Sequence, residues 1–160
     1  MRTGRPSRLK GFNYIGFHRY FLTFCTDWRR PWFTNASAVG LVREQFLRVA
    51  NKERFAILAY CFMPNHVHLL VEGLAEDSDC RSFIVKSKQC SAHAYAKEFQ
   101  ARLWQPAGYE HVLRDDERVH VVARYILENP VRAGLAPTVL DYPFLGSEVY
   151  DVKELLDGLL

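Results

Sequence analysis

The chain has 160 residues, a formal net charge of +3 and a composition that is 49% hydrophobic and 14% aromatic. This length suits one domain with a proper core, and the composition excludes a disordered tail or a fibrous protein. No segment approaches the ~20 consecutive apolar residues of a membrane span, and no apolar segment of a signal peptide follows the basic N-terminus. We therefore expect a cytoplasmic protein without a membrane partner.

Charge is distributed unevenly. Lysine and arginine are concentrated in residues 1–30 and 81–102, whereas acidic residues are concentrated in 141–160. Such asymmetry suits a protein that binds a polyanion on one surface, although a basic arm and a solvated helix face explain it almost as well. We predict a basic N-terminal arm over residues 1–13, one folded domain over 14–140, and a tail or helix of the same domain over 141–160.

The four cysteines show neither CxxC pairs nor zinc-finger spacing, so we expect reduced thiols rather than a disulfide framework. Cys25 and Cys61 lie in apolar, strand-like segments and are predicted to be buried.

Hydrophobic periodicity and turn residues predict an alternation of strands and helices. The predicted elements, in chain order, are a strand over Phe17–Thr26, a helix from the N-cap Asn35 to about Asn51, strands over Phe55–Phe62 and His66–Glu72 joined by the turn at 63–65, a helix from about Arg81 to Ala101, a loop over Trp104–Gly108, a strand over Tyr109–Leu113, an acidic turn at 115–117, a helix over Arg118–Glu128, and a tail helix over Val152–Leu159. The first six elements have the ferredoxin-like order, an antiparallel sheet backed by two helices. This fold hosts many functions and by itself predicts none.

Two histidines, His66 and His68, flank Val67 in a predicted strand. Side chains alternate between the two faces of a strand, so the imidazoles project together while Val67 faces the other side. The pair can reach one divalent cation, although exposed or hydrogen-bonded strand histidines would show the same pattern. Three other histidines show no such pairing and are interpreted as structural: His18, His93 and His120.

Tyr125 and Asn129 lie four residues apart near the end of a predicted helix, just before Pro130. Residues at this spacing share a helix face. The Asn129 amide oxygen could then complete a metal site, with the Tyr125 hydroxyl near a bound phosphate. The apolar helical spacing of Tyr125 with Val122 and Ile126 is also typical of a core residue.

These two motifs together resemble those of a known family. Residues 63–70 (MPNHVHLL) and 125–135 (YILENPVRAGL) resemble the IS200-like transposases, and more closely their REP-associated tyrosine transposase relatives. The resemblance runs from about Tyr20 to Pro143, most of the chain. Either motif alone is unspecific, whereas their joint occurrence in this order is specific.

The resemblance implies an HUH-type, metal-dependent enzyme that nicks and transfers single-stranded DNA. The implied fold is α+β, a ferredoxin-like (RRM-like) antiparallel sheet with helices on one face, plus an additional C-terminal helix that carries the catalytic tyrosine. Tyr125 corresponds to the nucleophile, His66 and His68 to ligands of Mg²⁺ or Mn²⁺, and Asn129 to a third ligand. The ligand set also accepts Zn²⁺, and the sequence does not choose among these metals.

The implied partner is single-stranded DNA with a hairpin, of the repetitive palindromic or transposon-end type, in a nucleoid-associated cytoplasmic protein; a homodimer is left open. Candidate phosphate contacts are the basic side chains of Arg2, Arg5, Arg8, Lys10, Lys86, Lys88 and Arg132. Candidate base-stacking surfaces are Phe12, Trp104 and Tyr109. Ordinary surface or core packing explains each of these residues at least as well.

Two other functions fit the same residues. A non-catalytic nucleic-acid-binding domain on a ferredoxin-like sheet would need only the basic surface and the aromatic side chains. A metal-dependent phosphodiesterase that uses water would need the histidines but not the Tyr125 hydroxyl.

Overall fold

The computed structural model describes residues 11–113 and 118–158. In chain order the helices and strands are β1 (Arg19–Thr26), a 3₁₀ turn (Asp27–Arg29), α1 (Ala36–Glu53), β2 (Phe55–Met63), β3 (His66–Gly73), α2 (Cys80–Phe99), β4 (Trp104–Val112), α3 (Val119–Leu127), α4 (Asn129–Arg132), a second 3₁₀ turn (Val139–Asp141), β5 (Leu145–Gly146) and α5 (Val152–Asp157). The predicted acidic turn at 115–117 and residues 1–10 of the predicted basic arm lie outside the described residues. The predicted domain limits stay predictions.

Side-chain caps set the start of the two long helices. The Asn35 side chain accepts a hydrogen bond from the Ala38 backbone N–H at 2.9 Å, and the Asp79 side chain accepts one from the Ser82 N–H at 3.1 Å. Such bonds satisfy backbone donors that have no partner within the helix. The predicted N-cap at Asn35 is therefore confirmed. Within the described ranges, no helix is long and apolar enough to cross a membrane.

The sheet has five antiparallel strands in the order β4-β1-β3-β2-β5. The predicted β2–β3 hairpin is confirmed, with Met63 paired to His66. The predicted loop over Trp104–Gly108 is wrong, because β4 already begins at Trp104. Trp104 packs against Phe24 in the core, which favours the strand, and β4 is an edge strand, where the missing N–H of Pro106 is tolerated.

The sheet buries a separate core on each face. The first face carries α1 and α2 and a mostly aromatic core that includes Tyr20, Leu22, Phe24, Phe46, Phe62, Val67, Leu69 and Phe83. The second face carries α3 and α5 and a core that includes Phe21, Cys61, Leu70, Ala123, Ile126, Leu127 and Leu155. The two helices predicted to back the sheet are thus α1 and α2, and the helix that bears Tyr125 covers the opposite face. Cys25 and Cys61 are buried free thiols, as predicted.

Candidate active site

His66 and His68 project from β3 onto the second face of the sheet. Val67, between them, lies in the aromatic core of the first face, as strand alternation requires. The two imidazole centres are 4.7 Å apart and the two Nε2 atoms are 3.2 Å apart. Two ring nitrogens therefore converge on one point beside the sheet.

The other nitrogen of each imidazole is hydrogen-bonded. Asn65 Oδ1 lies 2.7 Å from His66 Nδ1, and Thr23 Oγ1 lies 2.8 Å from His68 Nδ1. An amide oxygen only accepts, so His66 Nδ1 carries the proton and its Nε2 keeps a lone pair. The Thr23 hydroxyl can accept from His68 Nδ1 in the same way. Such outer partners orient histidines that bind metals.

Burial keeps both histidines neutral at physiological pH. It lowers the pKa of His66 to about 4, with a smaller contribution from the positive charge of Arg29. Burial also lowers the pKa of His68 to about 3, with smaller contributions from His66 and Arg132. Neutral imidazoles are the form that binds cations.

The spacing of the pair fits a shared divalent cation. Two ligands at ~2.1–2.2 Å from one metal, with an angle near 90–110°, lie about 3.1–3.5 Å apart, and the two Nε2 atoms are 3.2 Å apart. Within residues 11–113 and 118–158, no cluster of three or more His, Cys, Asp or Glu side chains is placed to bind a metal. The predicted third ligand, Asn129, is an amide, and it begins α4 one turn after Tyr125.

Tyr125 lies on the same side of the sheet as the histidines. Its side chain is 38% exposed, and its ring centre is 6.3 Å from that of Phe21. The Phe21 ring is in turn 5.3 Å from the His68 ring. A single aromatic ring thus bridges the tyrosine and the histidine pair, and the phenol and the imidazoles lie on the second face of the sheet.

Arg132, the predicted phosphate contact on α4, contacts both the ring and the backbone of Tyr125. Its Cζ lies 4.3 Å from the centre of the Tyr125 ring, and its Nη2 donates a hydrogen bond to the Tyr125 carbonyl. Its charge also contributes to the lowered pKa of His68. Tyr125 and Asn129 do not share one continuous helix, because α3 ends at Leu127 and α4 begins at Asn129, next to Pro130.

The other predicted phosphate contacts lie away from the histidines or outside the described residues. Lys86 forms an ion pair with Glu53, and Lys88 Nζ donates to the carbonyls of Gln105 and Pro106 at 3.1 and 3.4 Å. Both lysines thus have partners within the chain, and their role in DNA binding stays a prediction. Arg2, Arg5, Arg8 and Lys10 lie outside the described residues.

The three predicted stacking residues differ in exposure. Trp104 is only 5% exposed, and its Nε1 donates to Ser91 Oγ at 2.9 Å, so this prediction is wrong and the residue belongs to the core. Phe12 packs edge-on against Tyr14. Tyr109 is 39% exposed and lies edge-on to Phe21 on the second face, and its role in base stacking stays a prediction.

Sequence reasoning missed Thr23 and Asn65, which bind the Nδ1 atoms of the two histidines. Asn65 directly precedes His66, and this position alone could have suggested its role. Thr23 is 45 residues from His68 along the chain and faces it only through the pairing of β1 with β3. No local pattern marks such a contact.

Comparison with known proteins gives one consistent family. The model of the family described as "Transposase IS200 like" matches residues 16–129. A REP-associated tyrosine transposase of Escherichia coli K12 is 32% identical over 106 residues, which is 65% of this chain and 61% of that protein. A Haemophilus influenzae protein that carries the same family name is 26% identical over 113 residues, 64% of either chain. Each match spans less than two thirds of the relative's length.

Solved structures agree with the fold. A REP-associated tyrosine transposase bound to a REP hairpin superposes with a TM-score of 0.71 at 25% identity, covering 88% of this chain and 82% of that one. A Deinococcus radiodurans protein, with a TM-score of 0.52 and 24% identity, covers 81% of this chain and 97% of its own, and it supports the fold alone. Because the family model matches well over half of the residues, from the start of the sheet to Asn129, this chain belongs to the IS200-like transposase family.

Proposed function

We propose that this protein is a metal-dependent enzyme that nicks single-stranded DNA at hairpin-bearing sites and transfers the cut strand, with Tyr125 as nucleophile. The observation that carries the proposal is that the exposed Tyr125 ring and the converging His66 and His68 nitrogens lie on one face, joined through Phe21. Membership of the IS200-like transposase family supports a reaction of this class.

The residues proposed to hold the cation are His66, His68 and Asn129, with Mg²⁺ or Mn²⁺ as the expected ion. Their donor set, two neutral imidazoles and one amide oxygen, would suit such a metal. When bound, the cation supplies charge neutralisation at the scissile phosphate. Thr23 and Asn65 keep the imidazole lone pairs directed toward it.

Tyr125 performs the covalent step. Its phenolic oxygen attacks the phosphorus, a new O–P bond forms, and the bond from phosphorus to the 3′-oxygen of the preceding nucleotide breaks. The proton lost from the phenol balances the one gained by the departing 3′-oxygen. The products are a 5′-phosphotyrosine and a free 3′-OH, and attack by a second 3′-OH reverses the step and joins two strands without ATP.

Arg132 fits the role of holding the nucleophile in place. Its guanidinium covers the Tyr125 ring and bonds the Tyr125 carbonyl, which fixes both the side chain and the end of α3. The same positive charge lies close enough to His68 to lower its pKa, and it can attract a phosphate to this face.

The proposed substrate is a hairpin with an adjoining single strand. The structural relative with a TM-score of 0.71 is a transposase bound to a REP hairpin. A duplex stem would give the protein a fixed register, and the single strand beside it would enter the site.

Incubation of the protein with Mn²⁺ and labelled hairpin-bearing single strands tests the proposal, with covalent adducts scored on denaturing gels. Tyr125→Phe should abolish the adduct and leave hairpin binding largely intact. Tyr109→Phe is a matched control, because Tyr109 and Tyr125 are 39% and 38% exposed and both rings pack near Phe21. Adducts formed equally by Tyr125→Phe would refute the proposed nucleophile. Binding without cutting by the unaltered protein would instead favour the non-catalytic function.

A further inference from the structure

Trp28 is the most exposed large apolar side chain among the described residues, at 84%. It lies in the 3₁₀ turn that follows β1, and the three residues after it, Arg29, Arg30 and Pro31, are exposed too. Tryptophan is enriched at binding surfaces, because its ring offers a large apolar area and its N–H a hydrogen bond.

The backbone at this position is held in an unusual conformation. Trp28 and Arg29 both have left-handed φ values, of 54° and 53°. Residues other than glycine, asparagine or aspartate rarely adopt such values, and two in succession are rarer still. Strain of this kind persists only when the surrounding structure enforces it, and it is concentrated at functional sites.

Hydrogen bonds at both ends of the turn enforce the conformation. The Thr26 hydroxyl contacts the carbonyls of Arg30 and Asn65 at 2.7 and 3.0 Å, and the Asp27 N–H donates to the Leu103 carbonyl at 2.8 Å. The Thr26 N–H also donates to the Asn65 carbonyl at 3.0 Å. These bonds hold the turn against Asn65, the residue that precedes His66.

The same contacts place the turn at the histidine end of the sheet. Cys25, two residues before Asp27, pairs directly with His66 in the β1–β3 ladder. The charge of Arg29 is near enough to His66 to contribute to the lowering of its pKa. An exposed indole and the exposed guanidinium of Arg29 therefore border the candidate metal site, and the guanidinium of the next residue, Arg30, lies 5.8 Å over the Trp32 ring. This combination suits an unpaired base and its phosphate.

We propose that Trp28 is a stacking platform for one unpaired base of the DNA strand next to the scissile phosphate, with Arg29 and Arg30 facing the backbone. This inference rests on the proposed function for the identity of the strand. Stacking on Trp28 fixes the path of the single strand, whereas the histidines and Tyr125 act on the phosphate.

The test measures binding in the Tyr125→Phe background, without divalent cations, so that neither cutting nor metal loading affects the result. The two probes are a hairpin with single-stranded extensions at both ends of the stem and a blunt hairpin with the same stem. Trp28→Ala should weaken binding of the extended probe by about 5- to 150-fold, the range for loss of one stacked base, and leave the blunt hairpin unchanged. Trp28→Phe should retain most of the affinity.

Two variants separate binding from folding. Trp28→Gly accepts the left-handed backbone, so its Tm should equal or exceed that of the parent although its binding of the extended probe is weak. Phe17→Ala is the matched control, since Phe17 is 62% exposed and precedes the end of β1 that pairs with Glu72, far from His66. It should bind both probes like the parent.

Fluorescence reports the contact directly. The extended probe should quench the emission of the parent, and Trp28→Phe should lose most of the quenching. Equal affinity of Trp28→Ala and the parent for the extended probe, or an equal loss on the blunt hairpin, overturns the inference. These results are distinguishable from failure of the proposed function, in which the unaltered protein forms no adduct with Mn²⁺ whatever Trp28 does.

Discussion

The guanidinium of Arg132 covers the ring of Tyr125, with Cζ 4.3 Å from the ring centre, and also donates a hydrogen bond to the Tyr125 carbonyl. That carbonyl lies in the last turn of α3, where carbonyls lack helical partners. One side chain thus closes the helix end and orients the tyrosine. The chain turns back after α4 at Gly134, whose φ of +73° suits glycine.

Arg132→Lys should slow adduct formation about tenfold or more, because lysine keeps the charge but loses the planar stacking and the forked hydrogen bonding. The rate of adduct formation at saturating DNA is the measurement. Arg54→Lys is the control, since Arg54 is exposed and forms an ion pair with Asp77, away from α3 and Tyr125. Equal rates for both variants would refute the positioning role of Arg132.

His66→Ala and His68→Ala should each weaken Mn²⁺ binding more than the loss of a hydrogen-bond partner of a ligand does. Loss of such a partner weakens metal binding roughly 10- to 100-fold. Each variant removes one of two converging nitrogens, and the remaining imidazole holds the ion poorly. Titration of free Mn²⁺ by electron paramagnetic resonance measures the loss. His93→Ala, at an exposed position of α2, should bind like the unaltered protein. Unchanged affinity in both β3 variants would show that the pair is structural.

Thr23→Val should reduce Mn²⁺ affinity about 10- to 100-fold with little change in fold. The substitution keeps the shape of the side chain but removes the oxygen 2.8 Å from His68 Nδ1, so the ring loses its fixed orientation and tautomer. The same Mn²⁺ titration applies. Thr138→Val removes an exposed hydroxyl that bonds Asp141 and should have no effect. A full-affinity Thr23→Val protein would exclude an orienting role.

Acidification should destabilise the metal-free protein because the folded state keeps His66 and His68 neutral. Their pKa values are lowered to about 4 and about 3, from an ordinary value of 6.5. Below pH 6.5 the unfolded chain therefore binds protons that the folded chain does not, and stability falls as the pH falls. At pH 5 the loss is about 2 kcal/mol per histidine relative to pH 8.

Urea unfolding in chelator-containing buffer measures this slope. A His66→Asn/His68→Asn protein should show a flatter dependence between pH 7 and 5, whatever its absolute stability. Lys86 lowers the pKa of Glu53, so stabilisation from that carboxylate is lost only at pH values below about 4.5, outside this window. An identical slope in the double variant would contradict the burial of neutral imidazoles.

Local patterns predicted the parts of the site that a single segment determines. Alternation placed His66 and His68 on one face because strand geometry has a period of two. The turn at 63–65 predicted the hairpin, and Asn35 predicted the start of a helix. These features depend on neighbouring residues alone.

Contacts between distant segments could not be predicted in this way. The β-bulge between Ile57 and Ala59 turns both Leu58 and Ala59 toward the second face, and no residue type at these positions predicts a bulge. Pro106 and Gly108 follow Trp104 and are typical of a loop. Burial of Trp104 in the core of the first face favours the strand instead. The turn that exposes Trp28 is held by bonds from Thr26 to the carbonyl of Asn65, 39 residues away along the chain.

The residue that carries the DNA after reaction can be identified by mass spectrometry. After reaction with Mn²⁺ and a hairpin-bearing single strand, nuclease and trypsin digestion should leave a modified peptide for mass spectrometry. Cleavage after Arg124 and Arg132 isolates residues 125–132 (YILENPVR), with Tyr125 its only tyrosine. With Tyr125 as the nucleophile, we expect a 5′-phosphonucleotide on this peptide and none after chelation of the metal. A nucleotide on residues 103–114, which contain Tyr109, or cut strands without any protein adduct, would contradict this assignment.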